Sequence, residues 1–248
     1  MITAQLTHHN RTYQVNLLQP HPLALPVNPI APSLHAFHIP PPVASPFTSG
    51  SFVGAVAQGS SCNVNNIFFN PHGHCTHTEC VAHISDRFYN VNDVVPHHLF
   101  AATLLTVTPE LMDGNSIITT ALLKPLMHLA PTPALLLRTP ASALPIPKIF
   151  SGTNPTFLHH TAAALIRSLG YHHLMLDLPS VDQEHDGGLL LAHKAFWNYP
   201  QTYDTSRTIT ELIHLPAHLP DGLYACNLLM APIINDATPS NPILYSLS

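Results

Sequence analysis

Nine prolines fall between residues 18 and 48, in LLQPHPLALPVNPIAPSLHAFHIPPPVASPF. Proline lacks the backbone donor that a helix interior or a central strand requires, so most of this stretch can be neither. It reads as an extended arm. Leu, Val, Ile and Phe are interleaved with the prolines, which favours an arm that packs over a pocket instead of a free linker. The rest of the chain has material for a core, since 46% of its 248 residues are hydrophobic. One globular unit spanning 1–248 is expected.

Charge narrows the partners. Only 8% of residues are charged, with eight Lys and Arg against thirteen Asp and Glu, so no basic stripe exists for phosphates and nucleic-acid binding is excluded. A weakly charged surface gives little repulsion between copies, and a homo-oligomer is expected. No secretory leader stands at MITAQLTHHNRTYQV, and the most apolar stretch, LYACNLLMAPII, is too short to cross a bilayer. The expectation is a soluble cytoplasmic protein without a membrane partner. Cys62, Cys75, Cys80 and Cys226 form no CxxC pair and read as reduced, buried thiols.

Beyond the arm, residues 50–69 have the short runs and glycine breaks of strands and tight turns. Residues 98–111, 117–130 and 134–140 read as strand, helix and strand. The clearest helix is 156–170, where Leu158, Ala162, Leu165 and Leu169 recur at helical steps and Gly170 closes it. Residues 172–182 follow as a buried strand that ends in polar residues, a common place for an α/β ligand site.

The chemistry concentrates in HGHCTHTECVAH, residues 72–83, where four histidines stand against about one expected by chance from 20 His in 248 residues. On a strand, His77, Glu79 and His83 share one face. His72 and His74 have the other parity, unless a bulge near Gly73 shifts the register. A carboxylate flanked by imidazoles suits Zn²⁺ or Mn²⁺, which accept nitrogen and oxygen donors together. The alternative from spacing alone is a polar strand in a histidine-rich chain.

THTECVAH, preceded by HGHC, resembles the HxGTHxDxPxH signature of the cyclase family of metal-dependent hydrolases, which includes kynurenine formamidase (an arylformamidase) and isatin hydrolase. The segments GSFVGAVAQGSSCNVNNI, ALLLRTP, HLMLDLPSVDQEHDGGLLLAHKAFWN, ITEL and NDATPSNPILY resemble further parts of the family in the same order. The likeness implies an α/β fold of the swivelling β/β/α type, a mixed sheet with flanking helices in a single domain. It implies metal ligands at His77 and Glu79, with His72 as the first ligand and His74 as runner-up, a second group at His193 and Glu211, and a catalytic histidine at His83. The activity implied is hydrolysis of a C–N bond, other than a peptide bond, in a small-molecule amide, formamide or lactam. Water acidified by Zn²⁺ or Mn²⁺ would attack, with His83 as acid and base.

Three positions depart from the signature: Cys75 stands for glycine, Glu79 for aspartate and Val81 for proline. A side chain at 75 would strain a loop that needs glycine, and a thiolate there would be an extra ligand. The rival readings are a non-catalytic metal-binding or structural protein that keeps the fold, and a histidine-rich metal buffer. Asp182 is expected to touch the site or orient a ligand. The polar cluster around it, Asp177 to Asp186, reads mainly as a solvated turn. Phe196 and Trp197 read as core more than as a substrate pocket.

Overall fold

The computed structural model describes residues 2–30 and 32–248; Ala31, inside the arm, lies outside the described residues. Nine strands hydrogen-bond in the order Thr3–His8, Arg11–Pro22, Ala237–Leu247, Gly222–Met230, Leu99–Thr106, Ala134–Arg138, His173–Leu176, Thr208–Glu211 and His77–Cys80. The last also pairs with Ala237–Leu247, so the final seven strands close into a ring. Leu99–Thr106, Ala134–Arg138, His173–Leu176 and Thr208–Glu211 run parallel to one another, and the other pairings of this sheet are antiparallel. The mixed sheet with few flanking helices is the expected α/β architecture.

Closure explains why ALLLR is apolar without alternation, because both faces of the strand are covered. Ala134 and Leu136 pack with Phe100, Leu104, Met175 and Leu244. Leu135 and Leu137 pack on the opposite face, in the cluster that holds Ala162, Ala163 and Ile166 of helix His160–Ser168 and Phe196 and Trp197 of helix Leu191–Trp197. The buried stripe of the first helix is thus Ala162, Ala163 and Ile166, with Leu165 and Leu169 at its margin. Phe196 and Trp197 are fully buried core residues.

Three expectations give way. Residues 117–130 form no α-helix: a strand, Asn115–Ile118, precedes a 3-10 segment, Thr120–His128, with Pro125 inside it. Proline there removes an α-helical donor and crowds the preceding turn. Residues 18–22 of the arm continue strand Arg11–Pro22, where Pro20 and Pro22 lie opposite Tyr245 and Ile243. Strand Thr3–His8 pairs only as far as Asn16, so the missing proline donors face no ladder. Cys62 is exposed, whereas Cys75, Cys80 and Cys226 are buried thiols as expected.

From Leu23 the arm crosses the ring and packs beside the histidine-rich stretch. Leu25 and Thr76 exchange contacts, Leu25 N donating to Thr76 Oγ1 at 2.7 Å and Thr76 N to Leu25 O at 3.2 Å. Leu25, Leu34 and Ala36 pack with Phe150 and Leu212. Gly73 lies directly under the arm: a Cβ there would fall 2.7 Å from Ile39 Cδ1 and 3.2 Å from Ala36 O. We therefore expect Gly73→Ala to cost about 1–3 kcal/mol in denaturant unfolding, the range for overpacking. Ile39→Val, which deletes the nearest atom, should return part of that loss in the double variant.

Candidate metal centre

Strand His77–Cys80 is four residues long, wholly buried, and paired on both edges. Its alternation sends Thr78 to one face, where Thr78 Oγ1 bonds Thr210 Oγ1 at 2.8 Å and Ser240 Oγ at 2.9 Å. His77 and Glu79 share the other face, and Glu211 lies opposite His77 in the ladder. His77 Nε2 is 3.5 Å from Glu211 Oε2 and 4.0 Å from Glu79 Oε2, so it touches both carboxylates. Glu211 is pinned through its other oxygen by Val181 N–H at 2.8 Å.

The register change before the strand is a helical turn, Pro71–His74, and not the β-bulge that parity suggested. Asn70 caps it, its side chain accepting from His72 N–H. The turn swings His72 toward the strand, its Nδ1 3.2 Å from Glu79 Oε2. His74 points away: its Nδ1 accepts from Asn70 N–H at 2.9 Å, outside the cluster. Extension also fails after Cys80, where Val81–His83 form a 3-10 turn. That turn still brings His83 Nδ1 to 3.8 Å from Glu79 Oε2.

The sixth expected residue arrives on helix Leu191–Trp197. His193 Nε2 contacts Glu79 Oε1 at 3.0 Å, while its Nδ1 contacts Asp182 Oδ2 at 2.6 Å. Asp182 also accepts from the backbone of Ala192 and His193 at 2.7 and 3.1 Å. One carboxylate therefore caps the helix and fixes the ring. His72, His77, Glu79, His83, His193 and Glu211 accordingly meet at one place, from three separate stretches of the chain.

Asp236 escaped the sequence reading. Its Oδ2 lies 3.6 Å from His72 Nε2 and 3.5 Å from His83 Nδ1, and the rings of His72 and His83 stack with centroids 4.4 Å apart. It precedes strand Ala237–Leu247, and its backbone carbonyl accepts from Cys80 N–H at 3.0 Å. The NDATPSNPILY segment carried the only signal, a resemblance without a role for the aspartate. Cys75 does not join: its φ of −157° is ordinary extended backbone, its thiol faces Pro71 O, and burial pushes its pKa up to about 12. Neither the strain nor the thiolate ligand considered for position 75 is present.

The donor set fits a divalent cation. Glu79 Oε2 and His77 Nε2 are fully buried and have no hydrogen-bond partner. Three imidazole nitrogens, of His72, His77 and His83, face that one oxygen at 3.2–4.0 Å. Neighbouring donors on a tetrahedral ion at ~2.1 Å stand about 3.4 Å apart, so modest closure would satisfy them.

The comparisons with known proteins agree with this architecture. A family model described as "Putative cyclase" matches residues 3–183. The chain belongs to the cyclase family. Among solved structures, a "potential metal-dependent hydrolase with cyclase activity" is 15% identical, with 92% of this chain and 97% of that chain covered and a TM-score of 0.65. Isatin hydrolase A from Labrenzia aggregata, bound to benzyl benzoate, is 13% identical over 92% of this chain and 93% of that one, with a TM-score of 0.66. A "predicted metal-dependent hydrolase" from Bacillus stearothermophilus is 16% identical over 92% of this chain and 98% of that one, with a TM-score of 0.62. At these identities the likeness establishes the cyclase fold. No curated protein matches the sequence. No helix among the described residues is long and apolar enough to cross a membrane.

Protons on the imidazoles compensate the buried carboxylates of this centre. Burial opposes charge on His72, but Asp236 and Glu79 outweigh it and lift the pKa to about 10; Asp182 and Glu79 do the same for His193 against its burial, also to about 10. Glu79, despite complete burial, is held low by the imidazoles around it, as is Asp236 by His72 and His83. Raised histidine values stabilise the fold fully below the unfolded value of ~6.5, and that share is lost as pH climbs toward 10; the lowered carboxylates contribute above ~4 and lose their share in acid. Urea unfolding of chelator-stripped protein should therefore give a midpoint that falls between about pH 6.5 and 10. Because metal ligation needs neutral imidazoles, Zn²⁺ uptake at pH 8 should release about two protons, read by calorimetry in buffers of different ionisation enthalpy. Uptake without proton release would refute the assignment of those two charges.

Proposed function

We propose that this cyclase-family chain is a metal-dependent hydrolase cleaving a C–N bond of a small-molecule amide, formamide or lactam. The observation that carries the reading is the buried Glu79 carboxylate, faced by the nitrogens of His72, His77, His83 and His193. His72, His77, Glu79, His193 and Glu211 would hold one or two Zn²⁺ or Mn²⁺ ions. When bound, such an ion supplies Lewis acidity, lowering the pKa of water toward ~7 and polarising a carbonyl oxygen. The likeness to isatin hydrolase A supports a cyclic or aryl amide as the substrate class.

The remaining residues orient groups and move protons. His83 is 29% exposed, open enough to meet a substrate, and Asp236 at 3.5 Å fixes its ring. His83 takes a proton from the attacking water and returns it to the departing nitrogen. Asp182 holds His193 in one tautomer through Nδ1, which leaves Nε2 for the cation. Glu79, one methylene longer than aspartate, spans from His193 at one oxygen to His72 at the other.

Homo-oligomerisation and a cytoplasmic setting belong to the same proposal. Phe47, Phe52, Ile67 and Phe68 are exposed on the ribbon built by strands Val43–Pro46 and Asn65–Phe68 and the short hairpin between them, and the four free cysteines suit a reducing compartment.

The test is a panel of aryl formamides, lactams and lactones assayed with Zn²⁺ and with Mn²⁺, bound metal being measured on the same sample. Turnover of a formamide or lactam is expected. His83→Ala should keep the metal and lose ~10²-fold or more in kcat. Tight metal binding with no turnover across the panel would overturn the hydrolase reading in favour of a metal-binding protein that kept the fold. Loss of metal from His83→Ala would make His83 a ligand.

A further inference from the structure

A second constellation lies outside the cyclase centre. Glu184, two residues beyond Asp182, is 4% exposed at its side chain although its neighbours line the surface. Both its oxygens accept from one donor, the Gly152 N–H, at 2.8 and 3.1 Å, and no lysine or arginine among the described residues pairs with it. A buried carboxylate with a single neutral donor retains most of its desolvation cost. Two imidazoles stand beside it. His38 Nε2 is 3.8 Å from Glu184 Oε1, and the His38 and His185 rings lie parallel with centroids 6.4 Å apart. One donor atom from each of the three residues falls within 4.8 Å of the others.

The backbone is shaped to bring His38 there. Phe37 and His38 both adopt left-handed φ, 57° and 53°, which non-glycine residues rarely do and which costs of order 1 kcal/mol each. His38 N–H donates to Ser151 Oγ at 3.0 Å, and Ser151 Oγ also meets His35 Nδ1 at 2.9 Å. Gly152, whose N–H holds Glu184, has a φ of 71° that suits glycine, and the His38 ring packs beside it, with His38 Cε1 at contact distance, 3.4 Å, from where a Cβ would stand.

We infer that His38, Glu184 and His185 form a second divalent-cation site, which clasps the proline-rich arm to the loop carrying Asp182. Two imidazoles and one carboxylate are a donor set for Zn²⁺ or a similar borderline cation, with water completing the shell. The ion would neutralise Glu184 and hold His38 in its uncommon backbone conformation. Through Glu184 it would also fasten the segment whose Asp182 orients His193. The inference does not depend on the proposed hydrolase activity.

The experiment uses the full chain, stripped by chelator and dialysed against buffered submicromolar free Zn²⁺ at pH 7.5, with bound zinc measured per chain. His38→Ala/His185→Ala should hold one tight equivalent fewer than the wild type, and so should Glu184→Gln, which keeps an acceptor for Gly152. A central-site variant, His72→Ala/Glu79→Gln, should retain that equivalent. In limited proteolysis Zn²⁺ should slow cleavage within residues 26–42 for the wild type and leave it unchanged for His38→Ala, whose exposed side chain makes misfolding no explanation. Equal tight zinc in the wild type and both clasp variants would overturn the second site, whatever happens at the central one. Loss of zinc confined to the central-site variant would do the same.

Discussion

A carboxylate with no access to solvent is the constraint around which this cyclase fold is arranged. Glu79 is completely buried, and burial of an unpaired carboxylate costs several kcal/mol even after relaxation. Four imidazoles and their own carboxylate partners surround it, so the charge is compensated by protons or by a cation. Asp182 and Asp236 give His193, and His72 with His83, second acceptors, so a ring that turned away would give up a carboxylate partner on both sides. Compensation extends outward in this way from one atom to a network that includes a helix cap and a strand edge.

The network can be rigid because of where Glu79 sits. Strand His77–Cys80 closes the ring between Thr208–Glu211 and Ala237–Leu247, and every polar residue of the centre is on it or within a few residues of a strand or helix it touches. Thr78, on the reverse face, ties the three strands together through Thr210 and Ser240. The arm adds the remaining wall, with Gly73 as the point of closest approach. Sites held by paired strands keep their geometry better than sites held by loops, and here the looser pieces, the turns at 71–74 and 81–83, are short and capped or closed by backbone hydrogen bonds.

Legibility differed between elements for identifiable reasons. The parallel strand Ala134–Arg138 and the helix at His160–Ser168 were readable because burial on both faces and a 3.6-residue stripe are local in the chain. The 3-10 segment Thr120–His128 was misread as α-helix because its apolar spacing is helical and only Pro125 argues otherwise. At the centre, parity placed His77 and Glu79 on one face correctly, but it could not show that both flanks leave the extended conformation. Asp236 was missed because nothing beside it in sequence is chemically reactive; its neighbours are brought by the 237–239 ladder.

The sequence by itself determined the family, the α/β class and which histidines and glutamates were worth watching, since these follow from ordered motifs and from periodicities carried by neighbouring residues. Tertiary structure decided that His72 faces the centre and His74 does not, that Asp182 holds His193 in place, and that Asp236 belongs to the cluster. The first rests on the arm at 36–39 lying against Gly73, the second on Asp182 reaching across eleven residues to His193, and the third on Asp236 meeting His72 and His83 from more than a hundred residues away. A side chain's direction there is set by the packing of the arm over Gly73 and by the pairing of strand His77–Cys80 on both edges, and local sequence carries no record of either.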